Sequence, residues 1–280
     1  MKIQFSKYQA LGNDFLVVDR TGIRFSRARL GRLALDMCNR RTGVGADGIL
    51  LLTKAGTANS KVDVFNADGG WAEKSGNGLR ITAAHLRMNG EKSSTFRILM
   101  GGEESLVALK KTIPGGYLVT AELGQPDFRS SHVPVKSRNT YLINGAVRIA
   151  GKPVTATCLS IGNPHTVIFV DDFDFDWHAL GRALEHAPIF PRATNVEFVK
   201  VMSRSKLRVN DWERGAGATG SSGTGAAAAV CAAVMLGKAE RECEVRFDTG
   251  SLFIHWRASD DVIELTGPVQ CVMSGMYEWR

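Results

Sequence analysis

The chain has 280 residues, of which 44% are hydrophobic and 22% charged, and carries a formal charge of +7. That length fits one large domain or two of ordinary size, and the composition is that of a globular chain. No stretch approaches the ~20 continuous apolar residues of a membrane span, and the opening MKIQFSKYQA lacks the basic, apolar and small-residue regions of a secretory leader, so a cytoplasmic protein is expected.

Taken in chain order, short strand-like runs dominate. IQFSKY, FLVVD, ILLLT, KVDVFN, FRILM and LVALK fall in the first half, and VTATCLS, TVIFV, VEFVKV, KLRVND, ECEVRFD and LFIHW in the second. Turn residues such as Pro114-Gly115-Gly116 separate them. Helical patterns are few: 26–38 with Ser26 as N-cap, 78–89, a short one near 176–186, and 224–237. Long strand-rich halves with few helices indicate an α+β fold.

The basic residues Arg20, Arg24, Arg27, Arg29 and Arg32 alternate with Leu30, Leu33 and Leu35. No stacking aromatics accompany them, so they read as the solvated face of an amphipathic helix rather than a nucleic-acid site. The five cysteines (Cys38, Cys158, Cys231, Cys243, Cys271) form no CxxC pair and read as reduced core residues. Asp171, Asp172, Asp174 and Asp176 lack the glycine and downstream glutamate of a calcium loop, and read as a loop entering a helix N-terminus.

One internal repeat carries chemistry. Ser75-Gly76-Asn77-Gly78 and Ser222-Gly223-Thr224-Gly225 each open into an apolar helix, and the two serines stand 147 residues apart, about half the chain. Two similar halves with a cleft between them are expected. A helix N-terminus offers unpaired N–H groups, and glycine lets a ligand approach them, so each loop suits an anionic group such as a carboxylate. Neither loop has the lysine of a P-loop.

Six motifs occur in order: LGNDFLVVD (11–19), RTGVGADGILL (41–51), FNADGGWAEKSGNGLR (65–80), IGNPHTV (161–167), TNVEFV (194–199) and ERGAGATGSSGTGA (213–226). Together they resemble the diaminopimelate epimerase family, within a superfamily that includes proline racemases and phenazine-biosynthesis isomerases. The resemblance implies two pseudo-symmetric domains, each a β-rich shell around a central helix. The first would cover 1–122, joined by a C-terminal segment of about 268–280, and the second 123–267. It also implies inversion at an amino-acid α-carbon by two bases, without cofactor or metal. The partner would be a small amino-acid substrate, with neither nucleic acid nor membrane; a homodimer is left open.

Carried over by motif, Asn13, Asn66, Asn163 and Asn195 would hold the polar ends of the substrate. Glu213 and Arg214 would bind its distal groups. Gly76, Asn77, Gly223 and Thr224 would cradle the α-carboxylate through backbone N–H groups. His165 and Glu213 would lie beside the acid/base positions. At those positions the family has cysteine, whereas this chain has Ser75 and Ser222; Ala218 also stands where the family commonly has glutamate. A hydroxyl is a far weaker acid than a thiol, whose pKa lies near ~8.5, and normally needs an adjacent base. Three readings stay open: an epimerase using serines, a related isomerase or dehydratase acting through one hydroxyl, and an amino-acid-binding homologue or deliberate double Cys→Ser change.

Overall fold

The computed structural model describes residues 1–22, 24–56, 58–149 and 151–279. By its contacts the chain divides into two compact units, Met1–Glu122 with Thr266–Arg280, and Leu123–Leu265. Arg280, the end of the C-terminal segment expected to join the first half, lies outside the described residues.

The first unit holds β1 (Lys2–Ala10), β2 (Asn13–Asp19), α1 (Arg27–Cys38), β3 (Gly48–Ala55), β4 (Ala58–Asn66), β5 (Trp71–Ala72), α2 (Gly76–Met88), β6 (Thr95–Met100), β7 (Glu103–Ile113) and β8 (Gly116–Gly124). The second holds β9 (Gly145–Ile149), β10 (Lys152–Ser160), β11 (Pro164–Phe169), α3 (Trp177–Glu185), β12 (Asn195–Ser203), β13 (Lys206–Glu213), β14 (Gly217–Ala218), α4 (Gly223–Met235), β15 (Glu242–Phe247) and β16 (Gly250–Trp256). The last strand, β17 (Ile263–Glu278), carries the chain from the second unit's residues into the first's.

The two units repeat one wiring scheme. In the first, β2 runs through α1 to a parallel β3, which turns antiparallel into β4; β4 leads through β5 and α2 to β6, parallel to β4 and paired with β7. In the second, β11, α3, β12, β13, β14, α4, β15 and β16 follow the same order with the same parallel and antiparallel pairings. In the first unit β1 pairs with both β2 and β17, and β17 also pairs with β8, so the strands close on themselves.

Local sequence explains the layering. FLVVD and ILLLT are apolar on both faces because helices cover both, where an open sheet would alternate. On one side α1 packs Leu30, Leu33, Ala34 and Met37 against Leu16, Val18, Ile49 and Leu51. On the other, Leu50 meets the start of α2: a Cβ on Gly78 would come 3.0 Å from Leu50 Cδ2. In the second unit α4 is buried all round from Gly223 to Ala233. An Ala-rich helix without a polar face belongs at the centre of a shell. Fold class and the four helices thus follow the sequence expectation. The strands Gly116–Gly124, Gly145–Ile149 and Ile263–Glu278 were not expected from it.

The arginines of α1 differ from expectation in one respect. Arg29 lies over the Phe25 ring at 4.2 Å and Arg27 over Trp71 at 4.7 Å, so aromatic rings of this chain do accompany them. The acidic segment does cap a helix: Asp176 accepts from the Ala179 N–H at 2.9 Å, at the start of α3. No helix among the described residues is long and apolar enough to cross a membrane.

Candidate active site

Ser75 and Ser222 are the N-caps of α2 and α4. Both have extended backbone, with φ −141° and −122°. Each side chain turns back onto the third helical residue, the Ser75 Oγ accepting from the Gly78 N–H at 3.0 Å and the Ser222 Oγ from the Gly225 N–H at 3.2 Å. Glycine at that third position relieves a tight approach. A Cβ on Gly78 or Gly225 would stand 3.1 or 3.0 Å from its serine's Cβ.

The first two N–H groups of each helix are the important ones. Those of Gly76, Asn77, Gly223 and Thr224 have no acceptor among the described residues, and all four residues are buried. Buried N–H groups are almost always paired, so each cradle is shaped for an acceptor the protein does not supply. The positive end of each helix dipole favours an anion there.

In the first unit the cradle rests on a polar chain. Asn77 Nδ2 donates to Asn13 Oδ1 at 2.9 Å, and Asn13 Nδ2 donates to Asp47 Oδ2 at 2.9 Å. Asn77 Oδ1 accepts from the Arg80 guanidinium, which also donates to the Pro268 carbonyl at 3.3 Å. Arg80 is fully buried and its Nε has no partner among the described residues; burial pulls its pKa down to about 9. Both ends of the Asn13 side chain are therefore engaged within the protein, steadying α2. Asn66 ends β4 and is exposed, with no side-chain partner among the described residues.

The second unit is richer in acids. Glu197 on β12 and Asp211 on β13 face each other in register, and Glu213 lies two residues along the same face as Asp211. His165 Nδ1 meets Glu197 Oε1 at 2.6 Å, and its Nε2 donates to Asn163 Oδ1 at 2.8 Å. Asn163 Nδ2 reaches Thr224 Oγ1 at 3.3 Å, tying this group to the cradle. Ser222 Oγ donates to Glu213 Oε2 at 3.3 Å, and Thr219 Oγ1 lies 2.6 Å from Glu213 Oε1. Burial raises the carboxyl pKa of Glu197, Asp211 and Glu213; His165 opposes the rise at Glu197, and bonds from Thr219 and Ser222 oppose it at Glu213.

Loop 213–219 is held from outside. Glu185, at the end of α3, accepts from Trp212 Nε1 at 2.7 Å and from the Gly215 N–H at 2.8 Å. Asn195 Oδ1 accepts from the Arg214 N–H at 2.9 Å, while Arg214 Nη1 donates to the Arg192 carbonyl at 3.3 Å. Ala218 is exposed in β14, opposite Trp212.

Of the residues expected from the sequence, the structure brings Ser222, Gly223, Thr224, Glu213, Asn163 and His165 together around the start of α4, with Ser222 bonded to Glu213 and Asn163 bonded to Thr224 and His165, and Ser75, Gly76, Asn77 and Asn13 around the other helix start. Asn195 and Arg214 act on the 213–219 loop. Asp211, Thr219, Glu197 and Glu185 were not anticipated. For Asp211 the signal was present: an acid two places before Glu213 on a strand must share its face. The cysteines offer no substitute base. Cys231 is fully buried inside α4, and burial pushes Cys158 up to about 12 and Cys243 to about 11.

Comparison with known proteins defines the class. The profile described as diaminopimelate epimerase matches residues 5–128 and 157–272. A diaminopimelate epimerase of Microcystis aeruginosa is 38% identical over 292 residues, covering 99% of each chain. One from Carboxydothermus hydrogenoformans is 38% identical over 277 residues, covering 98% of this chain and 99% of its own. Among solved structures, a hydroxyproline epimerase from Agrobacterium vitis with bound trans-4-hydroxy-L-proline has a TM-score of 0.75 at 12% identity, covering 98% of this chain and 92% of its own. A probable proline racemase from Agrobacterium radiobacter K84 gives 0.73 at 13% identity, covering 99% and 93%. The fold is shared with these two structures. This chain belongs to the diaminopimelate epimerase family.

Proposed function

We propose that this protein is a cofactor-independent amino-acid epimerase of the diaminopimelate type, in which Ser222 works with Glu213 as one acid/base unit and Ser75 supplies the other. The observation that carries the reading is the pair of buried, unpartnered N–H groups at the start of each central helix, set beside a hydroxyl. An α-carboxylate accepting such N–H groups would gain charge-assisted bonds that strengthen as negative charge builds up during removal of the α-proton.

Inversion needs an acceptor for the α-proton on one face of the carbon and a donor on the other. Ser222 takes the proton on Oγ as its own hydroxyl proton passes to Glu213 Oε2; Ser75 Oγ–H gives a proton to the carbon and regains one from solvent. Hydroxyls are poor carriers, so the turnover expected is slower than for thiols whose pKa sits near working pH. His165 has both ring nitrogens engaged, and its role here is to hold Glu197 and Asn163. Glu213 has two assigned roles, tuning of Ser222 and contact with the distal end of the substrate; its bonds to Ser222 and Thr219 favour the first.

One observation favours a second reading. Asn66 stands nine residues before Ser75, as Glu213 stands nine before Ser222, each at the end of the corresponding strand. The first loop therefore has an amide where the second has a carboxylate base. This favours an isomerase or dehydratase that moves a proton with one base only.

Incubation with L,L-diaminopimelate in deuterated water separates the readings. Deuterium uptake at Cα with formation of the meso product supports the epimerase. Uptake with retained configuration, or an unsaturated product from another carboxylate, supports one-base chemistry. Calorimetric binding without any uptake overturns both.

A further inference from the structure

Two short polar contacts in the second unit meet at one hydroxyl. Thr219 Oγ1 lies 2.5 Å from Asp211 Oδ2 and 2.6 Å from Glu213 Oε1. Both distances belong to strong O–H···O bonds with a charged partner. A threonine hydroxyl has one proton and donates once. Two ionised carboxylates at these distances would leave one contact without a hydrogen between two oxygens, which is repulsive. The missing hydrogen has to sit on a carboxyl.

The surroundings point the same way. Glu197 and Asp211 face each other across β12 and β13, Glu213 follows Asp211 on the same face, and His165 contacts Glu197. Helix α4, packed over that face, has the sequence GTGAAAAVCAAVM and contributes no charge. From the neighbouring strands, β11 contributes His165 and β12 contributes Glu197. Asp211 is 2% exposed, so water does not screen its carboxyl. Carboxylates crowded together in such a place cannot all be ionised.

We propose that Asp211 and Glu213 share one proton through the Thr219 hydroxyl, and that this proton's position decides whether Glu213 is a base toward Ser222. With the proton on Asp211, Asp211 Oδ2–H donates to Thr219 Oγ1, Thr219 donates to Glu213 Oε1, and Glu213 is an anion that accepts from Ser222. With the proton on Glu213, Oε1–H donates to Thr219 and Thr219 donates to Asp211. The shift moves one proton along two hydrogen bonds; no atom or net charge is gained or lost. Asp211 is thus a positioning residue for the proton, acting through Thr219 and touching no substrate. The relay's catalytic meaning rests on the reading of Ser222 and Glu213 above, but the shared proton itself does not.

The test is a carboxyl-carbon NMR titration of the whole protein labelled with 13C at Asp and Glu side-chain carboxyls, with no substrate present. The Asp211 and Glu213 signals are expected to move together, with a shared midpoint clearly above the ordinary carboxylate value near ~4. In Asp211→Asn the Glu213 midpoint falls by at least one unit, a tenfold change in proton affinity. Thr219→Ser keeps the shared midpoint, and Thr219→Val makes the two signals titrate separately. If turnover is observed, the acidic limb of its pH profile moves down with the NMR midpoint in Asp211→Asn. Independent titrations near 4 in the parent protein overturn the proposal. An unmoved Glu213 midpoint in Asp211→Asn also overturns it, whether or not the protein inverts an amino acid.

Discussion

Glu213→Gln is the sharpest perturbation of the proposed chemistry. It keeps the shape of the side chain and its place beside Thr219, but removes the proton acceptor of Ser222. A positioned general base contributes about 10²–10⁴ in rate. The Ser222 Oγ to Glu213 Oε2 separation of 3.3 Å lies at the long end of hydrogen-bond reach, so the lower half of that range applies. The expected loss of α-proton exchange is about 10²–10³-fold, or about 3–4 kcal/mol at 1.36 kcal/mol per decade. Binding should change little, because the cradle N–H groups of Gly223 and Thr224 are untouched. Stability should hold or improve, since burial already disfavours the Glu213 anion. The assay is deuterium exchange at Cα by proton NMR, with calorimetry for affinity. Exchange within threefold of the parent, at unchanged affinity, would refute the pairing of Ser222 with Glu213. Ser222→Ala is the contrasting variant: it should abolish exchange and also cost α4 its cap, about 1 kcal/mol in urea unfolding.

Restoring thiols with Ser75→Cys and Ser222→Cys together should raise epimerisation of L,L-diaminopimelate by at least tenfold, measured by chiral separation of the meso product; no gain at measurable binding would place the defect elsewhere in the site. Arg80→Ala should destabilise the protein by about 3–5 kcal/mol in urea unfolding, because it strips donors from Asn77 Oδ1 and the Pro268 carbonyl and leaves a large cavity; Arg80→Met, which fills the volume, should cost clearly less. Stability should fall as pH rises from about 4 upward through the raised values of Glu197, Asp211 and Glu213, since the folded state holds protons there that the unfolded chain has released. Thermal melts from pH 4.5 to 8.5 would read this slope, and Asp211→Asn should flatten it.

Helices were the most legible part of the sequence. Ser26, Ser75, Asp176 and Ser222 each precede an apolar pattern, and each proves to be a capping side chain. The long last strand was not legible. Its run IELTGPVQCVMSGMYE holds Gly267, Pro268 and Gly275, which read as turns when taken locally. Pairing with β1 from Lys2↔Glu278 to Gln9↔Gln270 overrides that preference, with a register shift to accommodate it. Pro268 needs no N–H for its part, because its carbonyl receives Arg80. The serine and glycine positions of the site could be read from motifs, since a cradle is built from consecutive residues. The acids behind it were harder to read, although the spacing of Asp211 from Glu213 already put those two on one strand face. Glu197 and Asp211 sit inside runs that otherwise read as buried strand, and only the β12–β13 register sets them opposite each other.

The repeat makes the difference between the two halves chemically informative. Each half lays out strand, short hairpin and capped helix in the same order, so corresponding places can be compared without regard to sequence identity. At the strand end the first half has Asn66 and the second Glu213; two residues earlier they have Val64 and Asp211. Both carboxylates thus belong to one half, as does the Thr219 hydroxyl between them. The anion cradle, by contrast, is equal in both: a serine cap, two unpartnered N–H groups and a glycine at the third helical position. Carboxylate binding needs only backbone geometry, which duplication preserves. Proton transfer through a hydroxyl needs a base, and among the described residues a carboxylate is bonded to Ser222 and none to Ser75. If Ser75 acts, it does so as an acid whose proton comes from solvent, while Ser222 can act in either direction. The rate of inversion should therefore depend on which enantiomeric face loses its proton first, with removal by Ser222 the faster. Comparing deuterium in recovered substrate with deuterium in product, from the L,L and from the meso side, measures that difference directly; equal ratios from the two sides would show that the carboxylates at 211 and 213 do not distinguish the two serines.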